Sequence, residues 1–271
     1  MLDHVQGRFD SGAGDWTRYN QEPLGCIRRE LTWRNLAPYL PDVRDGEDAP
    51  CALDAGGGSG EMALRLATYG CRVWLLDYAP AMLEQARQAS ADLPEEARAR
   101  LSFCQLSAGE VAEAFAPGTF DVVVCHTLIE YLPDPVQVLQ GLASLLRDDG
   151  LLSLSFVNRH SEVLRQVWSR GDPDGALAKL KDGAFHAKLF DVPGQSYSAE
   201  EVSAWLPPLA LSIKATRGVR IFADRVPPQH LTAPAFLEAL LKLESAAAGL
   251  EPYRHIARYI QLLARKDREP T

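Results

Sequence analysis

Along residues 52–156, short apolar runs alternate with longer stretches in which apolar residues return every three or four positions. The runs at 52–55, 73–76, 101–104, 122–125 and 151–156 are short and almost uninterrupted by polar residues, as strands covered on both faces require. Between them, 61–68, 80–90 and 135–147 carry helical periodicity. In the second of these stretches Met82, Leu83 and Ala86 share one face, while Glu84 and Arg87 lie on another. Strand–helix alternation of this kind predicts βαβ units, a mostly parallel sheet and helices on both of its faces. Gly150 is expected to stop the helix over 135–147.

The flanks read differently. Residues 26–40 predict an amphipathic helix across the mouth of the sheet, since Ile27, Leu31, Leu36 and Tyr39 are interleaved with Arg28, Arg29, Glu30 and Arg34. Residues 158–198 show weak periodicity and scattered glycines, the pattern of an inserted lid rather than a sheet element. Ser198 with Glu200 and Glu201 opens a helix over 197–206. A strand over 209–222 with a kink at Gly218, a helix over 236–248 and a closing strand over 255–264 follow. The expected division is a helical cap (1–50), a ligand-binding core (51–157), the lid insert (158–198) and a part completing the sheet (199–271).

Composition narrows the function classes. With 271 residues, 46% hydrophobic and 24% charged, the chain is an ordinary globular α/β protein, which excludes disorder, collagen and coiled coil. Subtracting 36 acidic from 28 basic side chains leaves a formal charge of −8, against a surface given over wholly to nucleic acid but compatible with a local basic patch. No apolar run approaches the roughly 20 residues that span a bilayer, and the start of the chain is polar, so a cytoplasmic protein without membrane contact is expected. The five cysteines are odd in number and far apart, which predicts free thiols and neither a metal site nor a disulfide.

The sharpest chemical signal is Leu53-Asp54-Ala55-Gly56-Gly57-Gly58-Ser59-Gly60-Glu61, where a strand hands over to a helix. Glycines there let the backbone turn tightly and let a ligand approach without a Cβ in the way. Asp77 follows 21 positions after Gly56 at the end of the next strand, placed to accept from both hydroxyls of a ribose. The plain alternatives are a tight turn and a helix-capping acid. Gly56, Gly58 and Gly60 are two apart, and Glu61 follows at once; a carboxylate at that helix start repels a pyrophosphate and suits a phosphate-free nucleoside ligand.

On these residues, and on Phe120-Asp121-Val122-Val123-Val124-Cys125-His126, Leu132-Pro133-Asp134-Pro135 and Leu146-Arg147-Asp148-Asp149-Gly150, the chain resembles the class I S-adenosylmethionine-dependent methyltransferases. The resemblance implies a Rossmann-like fold with a mostly parallel seven-stranded sheet and an antiparallel C-terminal strand. It also implies S-adenosyl-L-methionine as cofactor, S-adenosyl-L-homocysteine as product, and cofactor contacts from Asp54, Gly56, Gly57, Gly58, Asp77, Tyr78, Met82, Ser107 and Ala108.

Outside the core, residues 25–33 with Arg28, His126 before Leu128-Ile129-Glu130, Gly218-Val219-Arg220-Ile221-Phe222, Glu251-Pro252-Tyr253 and Arg258-Tyr259-Ile260 resemble the tRNA 5-carboxymethoxyuridine methyltransferases. These act on the side-chain carboxylate of a modified wobble uridine. By that likeness Arg28 and His126 join the cofactor contacts, Arg28 pairing with the methionine carboxylate, and tRNA is the partner. The insert departs from the likeness: Lys179, Lys181 and Lys188 are offset by Asp182 and Asp191, where relatives carry a dense basic run. A C-terminal series comprising Lys214, Arg217, Arg220, Arg225, Arg254, Arg258, Arg265, Lys266 and Arg268 is the candidate phosphate-tracking stripe.

Methyl transfer from a sulfonium needs an aligned acceptor and little else, so no catalytic residue is singled out. A carboxylate acceptor is already ionised at neutral pH; a hydroxyl or amine would call for a base, for which His126 is the candidate. Tyr131, Asn158, Arg220 and Arg258 are the candidate acceptor contacts. The competing readings are a methyltransferase acting on a small metabolite, a binding module without turnover, and a nicotinamide oxidoreductase.

Overall fold

In the computed structural model, which describes residues 2–44 and 46–268, the five apolar runs form parallel strands β1 (Cys51–Ala55), β2 (Arg72–Asp77), β3 (Leu101–Gln105), β4 (Phe120–His126) and β5 (Leu146–Val157). A small antiparallel hairpin, β6 (Ala184–Ala187) and β7 (Val192–Gln195), stands apart from them. The chain then adds β8 (Leu211–Val219) and β9 (Tyr259–Lys266), giving a seven-stranded sheet in the order β3-β2-β1-β4-β5-β9-β8. Only β9 runs against its neighbours. The expected Rossmann-like architecture is therefore present, with the antiparallel strand at the C-terminus.

Every residue of β1 is buried, because the sheet is covered on both faces. Leu53, Ala55, Val123, Cys125, Leu152 and Leu154 face the helices Pro135–Leu145 and Ala199–Trp205. Their neighbours Ala52, Val73, Leu75, Val122 and Val124 face α2 (Pro23–Leu36), α3 (Glu61–Tyr69) and α4 (Pro80–Ser90). Ser198 caps its helix as expected, in a capping box with Glu201. The strand order reverses between β2-β1 and β1-β4, the crevice where such sheets bind ligands.

Several boundaries differ from expectation, each for a local reason. Before α2 stands α1 (Leu2–Gln21), hidden in the sequence by Gly7, Gly12 and Gly14, which lower helix propensity. Gly150 does not cap the helix over 135–147: that helix ends at Leu145, Arg147 reaches Asp121 at 2.9 Å, and Asp149 takes the left-handed turn at φ +62°. The segment after Asn158 is more ordered than an irregular lid, holding helices Arg159–Arg170 and Pro173–Asp182 as well as the β6–β7 hairpin. In β8 the irregularity falls between Ile213 and Ala215 rather than at Gly218, where a Cβ would come within 2.8 Å of Ala257. Residues 253–256 form a single turn, so the last strand starts at Tyr259 instead of 255.

The cysteines are free; Cys51, Cys71 and Cys125 are buried, Cys26 and Cys104 half-buried. Among the described residues no helix is long and apolar enough to cross a membrane.

Candidate active site

The carboxyl ends of β2, β3 and β4 finish on polar residues, Asp77, Gln105 and His126, and all three line one large cavity of about 1590 Å³. Sites for one drug-sized ligand are about 300–1,000 Å³, so this volume accommodates two reactants side by side. Of the fifteen residues singled out from sequence, fourteen lie on its wall: Arg28, Asp54, Gly56, Gly57, Gly58, Asp77 and Tyr78, then Met82, Ser107, Ala108 and His126, and finally Tyr131, Arg220 and Arg258. The exception is Asn158, a correction with a plain cause. Its side chain is buried and fully engaged, donating to the His255 and Ala257 carbonyls at 2.8 Å and capping the helix Arg159–Arg170.

The glycine turn is built by backbone geometry. Gly56 and Gly58 sit at φ +67° and +54°, where a side chain is strained, and a Cβ on Gly57 would lie 2.9 Å from Asp54 and Leu75. Asp77 accepts from Gly58 N and Ala79 N, both at 2.9 Å, which leaves each oxygen a lone pair for a further donor. Burial raises its pKa to about 6 in spite of those bonds. Asp54 accepts from Ala63 N at 2.9 Å, capping α3 from a distance; burial, with Glu61 and Asp77 nearby, raises it to about 7. Among the described residues no cation pairs with either carboxylate.

α1 roofs this end, giving the expected helical cap a first helix that the periodicity of residues 26–40 did not include. Phe9 packs against Tyr78, Tyr131 and Phe190 with ring centres 5.7, 5.3 and 4.5 Å away, and Asp10 accepts from Ala81 N at the start of α4. Trp16 lies over the turn, its Nε1 being 3.3 Å from where a Gly58 Cβ would be. The spacing of Phe9, Ala13, Trp16 and Asn20, one face of a helix, was the available signal. Ser107 and Glu110 shape the loop after β3, with Ser107 N donating to Glu110 at 3.1 Å.

The opposite end is cationic. Arg28 from α2, Arg220 just past β8 and Arg258 just before β9 place their guanidinium carbons 6.0, 5.7 and 5.5 Å from the ring centre of buried Tyr259. Burial alone would raise the Tyr259 pKa, but the guanidiniums, Arg220 foremost, bring it below the usual tyrosine value. Arg220 occupies a left-handed conformation at φ +60° that turns its side chain back under the cavity, where it donates to Tyr19 at 2.6 Å and pairs with Asp224. Arg258 pairs with buried Glu162, which Arg165 also holds at 2.7 Å. Burial opposes ionisation of Glu162, yet Arg258 and Arg165 bring it down to about 2.

The expected C-terminal stripe does not exist as one surface. Because β9 is antiparallel, its first residue pairs with Val157 at the cavity, whereas Arg265 pairs with Leu151 about 20 Å along the strand. Arg265 and Arg268 there bind Asp149, and Lys266 binds the Leu209 carbonyl.

His126 sits between the two ends. Gln261 Oε1 accepts from Asn35 at 3.1 Å, so its amide nitrogen donates to Thr32 O and Ser153 Oγ at 3.2 and 3.0 Å. Ser153 Oγ in turn shares a hydrogen bond with His126 Nε2 at 2.8 Å, and with Nε2 as the acceptor the neutral imidazole carries its proton on Nδ1. Burial, helped by Arg28, drives the His126 pKa down to about 3, a value that suits a neutral donor and makes a poor general base.

A methyltransferase-domain family model matches residues 53–152. Across 89% of both chains the protein is 32% identical to the tRNA 5-carboxymethoxyuridine methyltransferase of Escherichia coli K12. The chain belongs to the S-adenosylmethionine-dependent methyltransferases. It is also 30% identical to the ubiquinone biosynthesis O-methyltransferase of Xanthomonas campestris, over 73% of this chain and 75% of that one. In fold it resembles the Burkholderia thailandensis 1,6-didemethyltoxoflavin-N1-methyltransferase solved with S-adenosylhomocysteine, at a TM-score of 0.60 and 17% identity, covering 98% and 89% of the two chains. As a methyltransferase of this family it uses S-adenosyl-L-methionine.

The cavity fits that cofactor. Two buried donors on its wall, Trp16 Nε1 and Arg28 Nε, have no hydrogen-bond partner among the described residues, and a ligand carboxylate would satisfy such groups. The uncompensated Asp54 and Asp77 offer the complementary charge for a sulfonium and an ammonium. No lysine or arginine comes from the glycine turn itself, in keeping with a ligand that lacks phosphate.

Proposed function

We propose that this methyltransferase acts on the side-chain carboxylate of a modified tRNA uridine, 5-carboxymethoxyuridine. The observation that carries this reading is the convergence of Arg220 and Arg258 on Tyr259 beyond the glycine turn, a cationic wall facing the space left for an acceptor, with Arg28 between that wall and Trp16 at the turn. The 32% identity with the Escherichia coli enzyme of that name supports it.

When bound, the cofactor supplies a methyl group made electrophilic by the sulfonium. Asp77 would accept from the ribose hydroxyls, Ser107 and Ala108 would border the adenine, and Arg28 would take the methionine carboxylate. Tyr78 and Met82 would close the cofactor end together with Phe9 and Trp16, keeping water away while charge is neutralised in the transfer. Arg220 and Arg258 would orient the acceptor carboxylate. Asp224 and Glu162 already share their positive charge, so the carboxylate is held without losing the electron density it attacks with. His126, neutral, would donate from Nδ1 rather than remove a proton, and Tyr131 would flank the acceptor. The segment 158–198 would serve as the lid.

Mass spectrometry of tRNA nucleosides from cells with and without the gene tests the reading. The methyl ester of 5-carboxymethoxyuridine should vanish with the gene and return with it. A second reading, a small phenolic or carboxylate metabolite as acceptor, is favoured by the match to ubiquinone-pathway enzymes. It predicts an unchanged tRNA profile and label from the cofactor entering a metabolite extract.

A further inference from the structure

We propose that Trp168 and Arg225 form a stacking platform at the cavity mouth, on which a nucleobase next to the methylated uridine of an unpaired RNA loop lies. The proposal rests on the tRNA reading above and assigns that substrate a second point of contact.

Trp168 lies in the last turn of the helix Arg159–Arg170 and lines the cavity, yet 57% of it is exposed. So large an apolar surface left open beside a ligand site marks a contact surface. The guanidinium carbon of Arg225 lies 3.9 Å from its ring centre, so a cation stacks on an indole that is still largely open. Among the described residues Arg225 makes no ion pair, because the adjacent Asp224 is taken by Arg220. Exposed Lys188 reaches the same cavity from the hairpin and, among the described residues, likewise makes no ion pair, while Arg170 adds positive charge that it shares with nearby Asp172.

The rim cations therefore contrast with Arg220 and Arg258 deeper inside, whose charge is matched by carboxylates. Unmatched positive groups around an exposed aromatic face are the combination that holds single-stranded nucleic acid, phosphates on the cations and a base on the ring. A small metabolite filling the cavity would leave both features without use.

The test measures fluorescence anisotropy of a labelled seven-nucleotide single-stranded RNA with uridine at its centre, on the full-length protein saturated with S-adenosylhomocysteine. Trp168→Ala is expected to weaken binding about tenfold and Trp168→Tyr to restore most of it. Arg225→Ala should weaken it and flatten its salt dependence. Cofactor affinity by calorimetry should stay unchanged in all three. Equal RNA affinity in wild type and Trp168→Ala would overturn the proposal, as would no RNA binding by wild type. So would a Trp168→Ala protein altered only in melting temperature or in dimer formation. Failure of the tRNA reading is separate: it is read from absent methyl incorporation into tRNA, whatever the anisotropy gives.

Discussion

The two ends of the cavity are charged in opposite senses and are stabilised in opposite ways. At the glycine turn, Asp54 and Asp77 are held by backbone N–H groups, have no cation partner among the described residues, and are pushed up to about 7 and about 6. At the arginine end, Arg220 and Arg258 each have a carboxylate, and Glu162 is brought down to about 2. The first end is electrostatically incomplete until a cationic ligand arrives. The second is complete in the free protein, and what it offers an acceptor is geometry together with residual positive charge. Cofactor binding should accordingly depend on pH near neutrality, and acceptor binding should depend on the intactness of buried ion pairs.

The largest expected effect breaks the arginine end. Glu162→Ala leaves Arg258 buried without its partner and should destabilise the protein by about 3–5 kcal/mol, measured by urea unfolding. A loss below about 1 kcal/mol would mean the pair is not what anchors that wall. Next, Asp77→Ala should weaken S-adenosyl-L-methionine about a hundredfold by calorimetry, since two charge-assisted bonds of about 1.5–3 kcal/mol each are at stake. Folding should be little harmed, because removing a buried, uncompensated carboxylate offsets the lost backbone bonds.

Acidification sharpens the comparison further. The Asp77 pKa is raised in the folded protein, so the protonated form gains population as pH falls through about 6, and with it an acceptor for the ribose is lost. Cofactor affinity is expected to drop about tenfold between pH 7 and pH 5. Stability moves the other way at this end: raised carboxylate pKa values stabilise the free protein at low pH and cease to do so as pH rises through about 6 to 7. Glu162, with its lowered pKa, contributes above the ordinary carboxylate range and loses its contribution only as pH falls toward about 2. The smallest effect is expected for Arg258→Lys, which keeps the charge but not the fork: about fivefold in acceptor KM, with cofactor affinity unchanged. A shift in cofactor affinity instead would place Arg258 at the other end.

Legibility followed the same division. The glycine turn, Asp77 and His126 were readable because a tight turn and a strand-to-helix change each leave a signature within a few residues, whereas Gln105 at the end of β3 was not singled out. α1 was missed because its three glycines argue against helix, whereas its place is secured by tertiary contacts: Phe9 on Phe190, Asp10 on α4, and Gly12 passing too close to Phe190 for a side chain. Asn158 looked like a rim residue by position, but a short polar side chain after a strand has local carbonyls to satisfy, and here it satisfies them. The basic stripe misled because β9 runs back across the sheet, separating Arg258 from Arg265 by the length of the strand.

The sequence by itself determined the alternation of strands and helices across 52–156, the turn that receives a nucleoside and the acid beside it, because periodicity and turn chemistry are set by near neighbours. Only the tertiary structure decided which arginines meet. Arg28, Arg220 and Arg258 are brought to one tyrosine by an antiparallel return and a left-handed residue at the end of β8. The charge of Arg220 and Arg258 is tempered by Asp224 and Glu162, partners that no spacing along the chain announces as a set.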